Sequence, residues 1–345
     1  MSTTTATAPA AGADQTTDQV RFGVIGVGII GKQHAKRLVS GVAPASLVAV
    51  ADANLEAAQA LAAEFEVEAA ESVEALLARE DIDAIVIAVP SGLHADLAVA
   101  ALDAGKHVLL EKPIEVTVEA ADRIIEAEKR SGKVLSIVSQ RRFAQENAWL
   151  REAIQNGTFG KVCATTVEIA LWRTQEYYDS AGWRGTWAMD GGGALMNQGV
   201  HLVDMALWLL GDVENVYAEG GLLAHERIEV EDTIAITARL KSGGVLNFLA
   251  TTCANAKLPL RVNVMGTEGV AVSSNEEFSY FVTTTDAELP EFEKVDQQVG
   301  QLNNFVEAVR TGGTPLVTSA ESRAAVAFIE AAYESMRTGK AVTPR

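Results

Sequence analysis

The chain has 345 residues, 48% of them hydrophobic, and carries 28 Lys and Arg against 46 Asp and Glu, a formal charge of −18. That length and apolar content predict a large core divided between two domains, and the excess acid argues against a nucleic-acid or anionic-membrane partner. Cys163 and Cys253 form no CxxC pair, so neither a disulfide framework nor a zinc site is expected and a reducing cytoplasm fits; no run approaches the ~18 apolar residues of a membrane span.

Residues 1–19 lack a basic start and an apolar centre, which reads as a disordered tail rather than a targeting peptide. Val20 to Ile25 then forms a short apolar strand and Ile30 to Ser40 a helix, joined by Gly26-Val27-Gly28-Ile29-Ile30-Gly31. This strand-turn-helix setting is what a dinucleotide fingerprint requires. Gly26 allows the tight turn, Gly28 clears space for a pyrophosphate, Gly31 lets helix and strand approach, and Ile29 and Ile30 open the helix whose N-terminus would face the diphosphate. A second strand, Ser46 to Ala51, ends in Asp52, about twenty residues after Gly31, placed to accept from a ribose 2′-hydroxyl. Its charge opposes a 2′-phosphate and no Arg follows in Ala53-Asn54-Leu55, so NAD is expected over NADP.

From residue 20 to 142 strands and helices keep alternating, which predicts a parallel, doubly wound α/β sheet. The run Ala84 to Val89 reads as a strand buried on both faces, and the loop Pro90-Ser91-Gly92-Leu93-His94 that follows lies at the carboxyl edge, where Pro90, Ser91 and His94 are candidate cofactor contacts. A further strand, His107 to Leu110, ends in Glu111-Lys112-Pro113, placing Glu111 and Lys112 at the same edge as further candidate cofactor contacts. From 143 to 345 the pattern changes to α+β: a helix near Ala148 to Asn156, strands at Val162 to Ala170, Val216 to Glu219, Thr233 to Leu240, Val245 to Thr251, Leu260 to Met265 and Val270 to Ser273, and closing helices at Gln298 to Thr311 and Ser319 to Arg337. A large, open, mostly antiparallel sheet with helices on one face is expected, its bare face suited to a homodimer or homotetramer.

Two segments of this second half carry chemistry. Trp172, Arg173, Tyr177, Tyr178, Trp183 and Arg184 concentrate aromatic and guanidinium groups in a chain with 6% aromatics, a composition suited to a sugar-binding loop or to a subunit interface. Asp190 and three glycines then open a helix predicted to run to Leu210, on which Asn197, His201 and Asp204 share one face. Asp204 is placed to orient the imidazole of His201 or to face another helix. His34, His107 and His225 show no partner spacing and read as structural, and no metal constellation is found.

The glycine loop, Asp52, Glu111-Lys112-Pro113 and the glycine-rich start of the helix bearing His201 together resemble the Gfo/Idh/MocA family of glucose-fructose oxidoreductases and inositol dehydrogenases, over nearly the whole chain. The resemblance implies a Rossmann domain at 20–142, a substrate and oligomerisation domain at 143–345, and Lys112 and His201 as catalytic residues. Many members carry Asp four residues before that His, where this chain has Asn197, which cannot take a proton and is expected to position the substrate hydroxyl. The NQGxH form is similar to members that oxidise glycosides or nucleotide-linked sugars. In the resulting expectation His201 is the base, Lys112 as ammonium stabilises the developing alkoxide, and a secondary ring hydroxyl of a pyranose, for instance at C3, yields its hydride to NAD. The alternatives are an inositol dehydrogenase, an NAD(P)H-dependent keto-sugar reductase, or an NAD-binding regulatory protein without catalysis.

Overall fold

The computed structural model describes residues 19–41, 44–256 and 258–345; the expected tail lies, but for its last residue, outside them. The first half builds β1 (Val20–Ile25), α1 (Ile29–Val39), β2 (Ala45–Ala51), α2 (Leu55–Phe65), β3 (Glu68–Ala69), α3 (Val73–Leu77), β4 (Ala84–Ile87), α4 (His94–Asp103), β5 (His107–Leu110), α5 (Val118–Ser131) and β6 (Leu135–Ile137). The strands form one parallel sheet in the order β3-β2-β1-β4-β5-β6. All four residues of β4 are buried, as a central parallel strand between helical layers requires. Since β2 lies on one side of β1 and β4 on the other, the loops after β1 and β4 diverge and open a crevice at the carboxyl edge, the usual ligand position in such sheets.

The chain continues through α6 (Gln145–Gln155), β7 (Val162–Ala170), α7 (Gln175–Asp179), a π-helical segment Ala194–Gly199, α8 (Val200–Leu210), β8 (Val213–Gly221), β9 (Thr233–Leu240), β10 (Val245–Thr251), β11 (Arg261–Gly266), β12 (Gly269–Ser274), β13 (Glu277–Thr283), α9 (Gln297–Thr311) and α10 (Ser319–Thr338). Its seven-stranded sheet runs β13-β12-β11-β7-β10-β9-β8 and is antiparallel except for the β7/β10 pair. Strands β8 and β9 alternate buried and exposed residues, so one face meets the α8 and α10 layer and the other is bare.

Helix α9 departs from the sequence division. Leu302, Phe305 and Val306 join the core beneath β1 and β2, with Phe305 against Phe22 at a ring separation of 6.0 Å. The chain therefore crosses back to the first sheet before α10 returns to the second. No helix among the described residues is long and apolar enough to cross a membrane.

Candidate active site

The glycine loop has the predicted geometry. Gly26 has φ +90°, a left-handed conformation that disfavours any side chain, and a Cβ on Gly31 would collide with the Gly26 carbonyl. A Cβ on Gly28, by contrast, would meet nothing within 4 Å, so this residue borders open space at the N-terminus of α1, with Ile29 and Ile30 exposed beside it. The Asp52 carboxylate is oriented by the backbone N–H groups of Val27 and Asn54, each donating at 2.8 Å, which fixes it beside the loop. An open cradle for a diphosphate and a pre-oriented carboxylate for a ribose fit a dinucleotide without an added 2′-phosphate.

Glu111 joins this wall to the reacting region. His34, buried on α1, meets its Oε1 at 2.8 Å, and Oε2 accepts from the N–H of Lys112. Burial pushes the Glu111 carboxyl up, but His34 and then the Lys112 charge outweigh it and hold the group at about 2, an anion. His34 thus has a partner that sequence spacing does not reveal. Pro90 and Ser91 line the turn after β4, with Ser91 buried. His94 departs from expectation: its imidazole is fully buried and its nitrogens face the carbonyls of Pro113 at 2.8 Å and Val89 at 3.1 Å. It braces the two loops against each other and presents no free nitrogen to a cofactor.

Lys112 leaves the end of β5 ahead of a cis bond to Pro113. Its Nζ donates to the carbonyl of Asn197 at 2.9 Å, which ties the sheet edge to the π-helical segment. Burial lowers the ammonium pKa, the charges of Glu111 and Asp190 oppose that, and Arg173 and Arg184 reinforce it. His201, in the first turn of α8, has a buried Nδ1 with no partner. Burial first, and then the Lys112 and Arg141 charges, push it down to about 3, so the imidazole is neutral at physiological pH.

The helix predicted from 190 to 210 begins as a π-helical turn, a geometry that recurs at functional sites because it re-aims side chains. Asn197 does not offer a free carboxamide: its Nδ2 donates to Asp190 Oδ1 and its Oδ1 accepts from Gln198 Nε2 at 2.7 Å. Asp190, read in the sequence only as a helix opener, is buried, accepts from Gly185 N at 2.8 Å through its other oxygen, and has its pKa raised by burial. A carboxyl group is therefore present beside Asn197, supplied from seven residues upstream. Asp204 does not serve His201. It receives Arg142 Nε and Nη2 at 2.9 and 2.6 Å together with Ser139 Oγ, a buried pairing beneath the site.

The π-helical turn is held from behind by Glu231. Its Oε2 accepts from Gly193 N at 3.0 Å, and its Oε1 accepts from Leu195 N at 2.7 Å and from the Tyr333 hydroxyl at 3.0 Å. Burial raises this carboxyl to about 7 against these donors. A group raised in the folded state from 4.5 favours folding below the unfolded value and loses that contribution as pH rises towards 7. Replacing Glu231 by Ala is expected to strand buried donors costing about 1–3 kcal/mol each and to abolish this decline. Urea titrations of both proteins between pH 4.5 and 7.5 check it, with parallel pH dependences as the contrary result.

The aromatic and arginine segment folds against this constellation. Arg173 Nη2 donates to Gln198 Oε1 at 2.7 Å and Arg184 Nη1 to the Tyr177 hydroxyl at 2.6 Å, with both guanidinium carbons over the Tyr177 ring at 4.6 and 4.3 Å. Trp183 lies under Arg184, and Trp172 is 40% exposed. Tyr178 is a pillar rather than a contact surface, buried and bonded through its hydroxyl to Thr252. His225 meets Asp232 at 3.0 Å and the Arg173 carbonyl at 2.7 Å, fixing the backbone that carries the arginine. Cys253 approaches the same pair, but Asp232 already accepts from three backbone N–H groups, so the trio forms a closed hydrogen-bonded unit. Gln198, which links Arg173 to Asn197, was not singled out by spacing.

A glycine loop at the crevice of a parallel sheet, with a lysine and a neutral histidine brought together at its carboxyl edge, defines a dinucleotide-dependent oxidoreductase. Residues 20–139 match an oxidoreductase family with an NAD-binding Rossmann fold, and residues 148–272 match the GFO/IDH/MocA C-terminal domain. An inositol 2-dehydrogenase of Rhizobium meliloti is 30% identical, covering 92% of this chain and 97% of its own. A D-glucoside 3-dehydrogenase of Escherichia coli is 30% identical over 67% of this chain and 70% of its own. The WlbA dehydrogenase of Bordetella pertussis, solved with NADH and UDP-GlcNAcA, superposes with a TM-score of 0.87 at 32% identity, covering 94% of this chain and 98% of that one. The chain belongs to the Gfo/Idh/MocA family. It is an NAD-dependent oxidoreductase of the sugar and polyol dehydrogenase type, acting on CH–OH groups.

Proposed function

We propose that the protein oxidises a secondary ring hydroxyl of a pyranose sugar or glycoside, at C3, with Lys112 and His201 at the reacting oxygen. The observation that carries this reading is the convergence of Lys112, His201 and the Asp190–Asn197 pair at the carboxyl edge of the sheet that also bears the glycine loop. The relative named a D-glucoside 3-dehydrogenase and the structure solved with UDP-GlcNAcA support a pyranose ring, as the inositol 2-dehydrogenase supports the cyclitol alternative. NAD, held by Gly26, Gly28, Gly31 and Asp52, supplies the hydride acceptor.

We infer from the electrostatics an exchange of the roles expected from sequence. A histidine pushed to about 3 is a weak base, whereas burial lowers the Lys112 pKa from its ordinary value, which eases loss of its proton. Lys112 then takes the hydroxyl proton and neutral His201 hydrogen-bonds the same oxygen. Asn197, committed to Asp190 and Gln198, fixes the carbonyl that aims Lys112.

The pH profile separates the two assignments. With Lys112 as base, kcat/KM rises with pH through the depressed lysine value and then levels. With His201 as base and Lys112 as ammonium, kcat/KM is already at its plateau well below neutrality and falls as Lys112 loses its proton. The function itself is tested by following NADH with a panel of glycosides, nucleotide sugars and inositols, and by locating the new carbonyl by NMR. An inositol oxidised in preference to every pyranose would displace this reading.

The bare sheet face carries exposed Tyr217 on β8, and Tyr280 and Val282 stand exposed on β13. We assign this face to a homodimer or homotetramer contact, which light scattering reads directly as mass.

A further inference from the structure

The chain has an excess of carboxylates, and most of its arginines find one: Arg21 pairs with Asp83, Arg79 with Glu68, Arg130 with Asp103 and Arg323 with Asp122. Arg173 and Arg184 do not. Among the described residues neither guanidinium meets a carboxylate, and the Nε of each is buried with no hydrogen-bond partner. The charges nearby are already committed. Asp190 is spent on Gly185 N and Asn197, and Asp179, in the same segment, pairs with Arg227.

Two buried, unused N–H donors on adjacent cations are costly unless something is meant to receive them. Their stacking on Tyr177 holds the guanidinium planes but leaves the donors unanswered. The pair is wired to the reacting region, because Gln198 accepts from Arg173 and donates to Asn197, whose carbonyl receives Lys112. Long-range attraction cannot deliver an anion to a protein of charge −18. A local clamp has to supply the selectivity.

We propose that Arg173 and Arg184 form an oxyanion clamp, and that the substrate is an anionic pyranoside carrying a carboxylate or a phosphate. This rests on the dehydrogenase reading and deepens it. Planar guanidinium groups match the two oxygens of a carboxylate or the edge of a phosphate in a way that neutral hydroxyls do not.

The test compares NADH formation from methyl β-D-glucopyranoside, its 6-carboxylate counterpart methyl β-D-glucuronide, and glucose 6-phosphate, with wild type and with Arg173→Met and Arg184→Met. The clamp predicts kcat/KM for one charged substrate roughly 10- to 100-fold above the neutral one, with each variant removing most of that preference. Preference for the glucuronide identifies a carboxylate, and preference for glucose 6-phosphate a phosphate. Arg173→Lys and Arg184→Lys keep a charge without the fork and are expected to fall between. Equal kcat/KM for charged and neutral sugars, or variants that lower both alike, would overturn the clamp and leave the dehydrogenase reading intact. If no sugar yields NADH, calorimetry of D-glucuronate and of glucose 6-phosphate against the NAD complex decides the clamp separately. Binding lost in the Met variants supports it, and no binding of either, or binding indifferent to the variants, overturns it.

Discussion

Replacing Lys112 by Met is expected to lower kcat by about 10²- to 10⁴-fold, the contribution of a positioned proton-transfer group, while leaving NAD binding within a few-fold. Methionine keeps the length and apolar stem of lysine, so the packing at the end of β5 survives, but it cannot donate to the Asn197 carbonyl or exchange a proton with a substrate hydroxyl. The effect should fall on kcat more than on KM, since the lost interaction belongs to the reacting oxygen. A variant that binds NAD and turns over the best substrate at the wild-type rate would remove Lys112 from the mechanism.

The second large effect is on stability. Arg142 and Asp204 are 2% and 5% exposed and meet through two hydrogen bonds, with Ser139 and Glu321 completing their shells. Asp204→Ala leaves the guanidinium buried with Glu321 alone and is expected to cost about 3–5 kcal/mol, the penalty for an uncompensated buried charge. Replacing both partners by apolar residues of similar volume should cost less than that single change, because no charge is then stranded. Denaturant titration of the two variants reads the order directly. The pair joins the turn after β6 to α8, so Asp204→Ala should also loosen the helix that carries His201.

What was legible in the sequence was set by the backbone. The turn at Gly26, the approach at Gly31, and Asp52 at the end of β2 are demands that a nucleotide-binding crevice makes on residue type at fixed offsets, and they stand where spacing placed them. The seven-stranded sheet was legible through alternation except at β13, whose exposed edge position gives its residues no buried row to repeat. What could not be read were long-range pairings. Asp204 sits at helical spacing from His201, yet Arg142 is 62 residues away in sequence and claims it. His34 looked unpartnered because Glu111 lies 77 residues on. His94 follows the loop after β4, but its burial follows from the carbonyls of Val89 and Pro113, which no offset encodes. The π-helical turn is likewise invisible to a 3.6-residue pattern. It depends on Glu231 receiving the N–H groups of Gly193 and Leu195 from a distant strand end.

The proposed reaction passes a hydride from a ring carbon of a pyranoside to NAD at the Lys112 and His201 site. Its most direct test is turnover of a methyl glucuronide and a methyl glucoside deuterated at C3, with mass analysis of the reduced cofactor. The better substrate is expected to deliver its deuterium to the nicotinamide, with a kcat/KM isotope effect above unity that Lys112→Met does not abolish in its residual turnover. Reduced cofactor carrying no deuterium, formed at an unchanged rate, would show that the oxidised carbon lies elsewhere and contradict it.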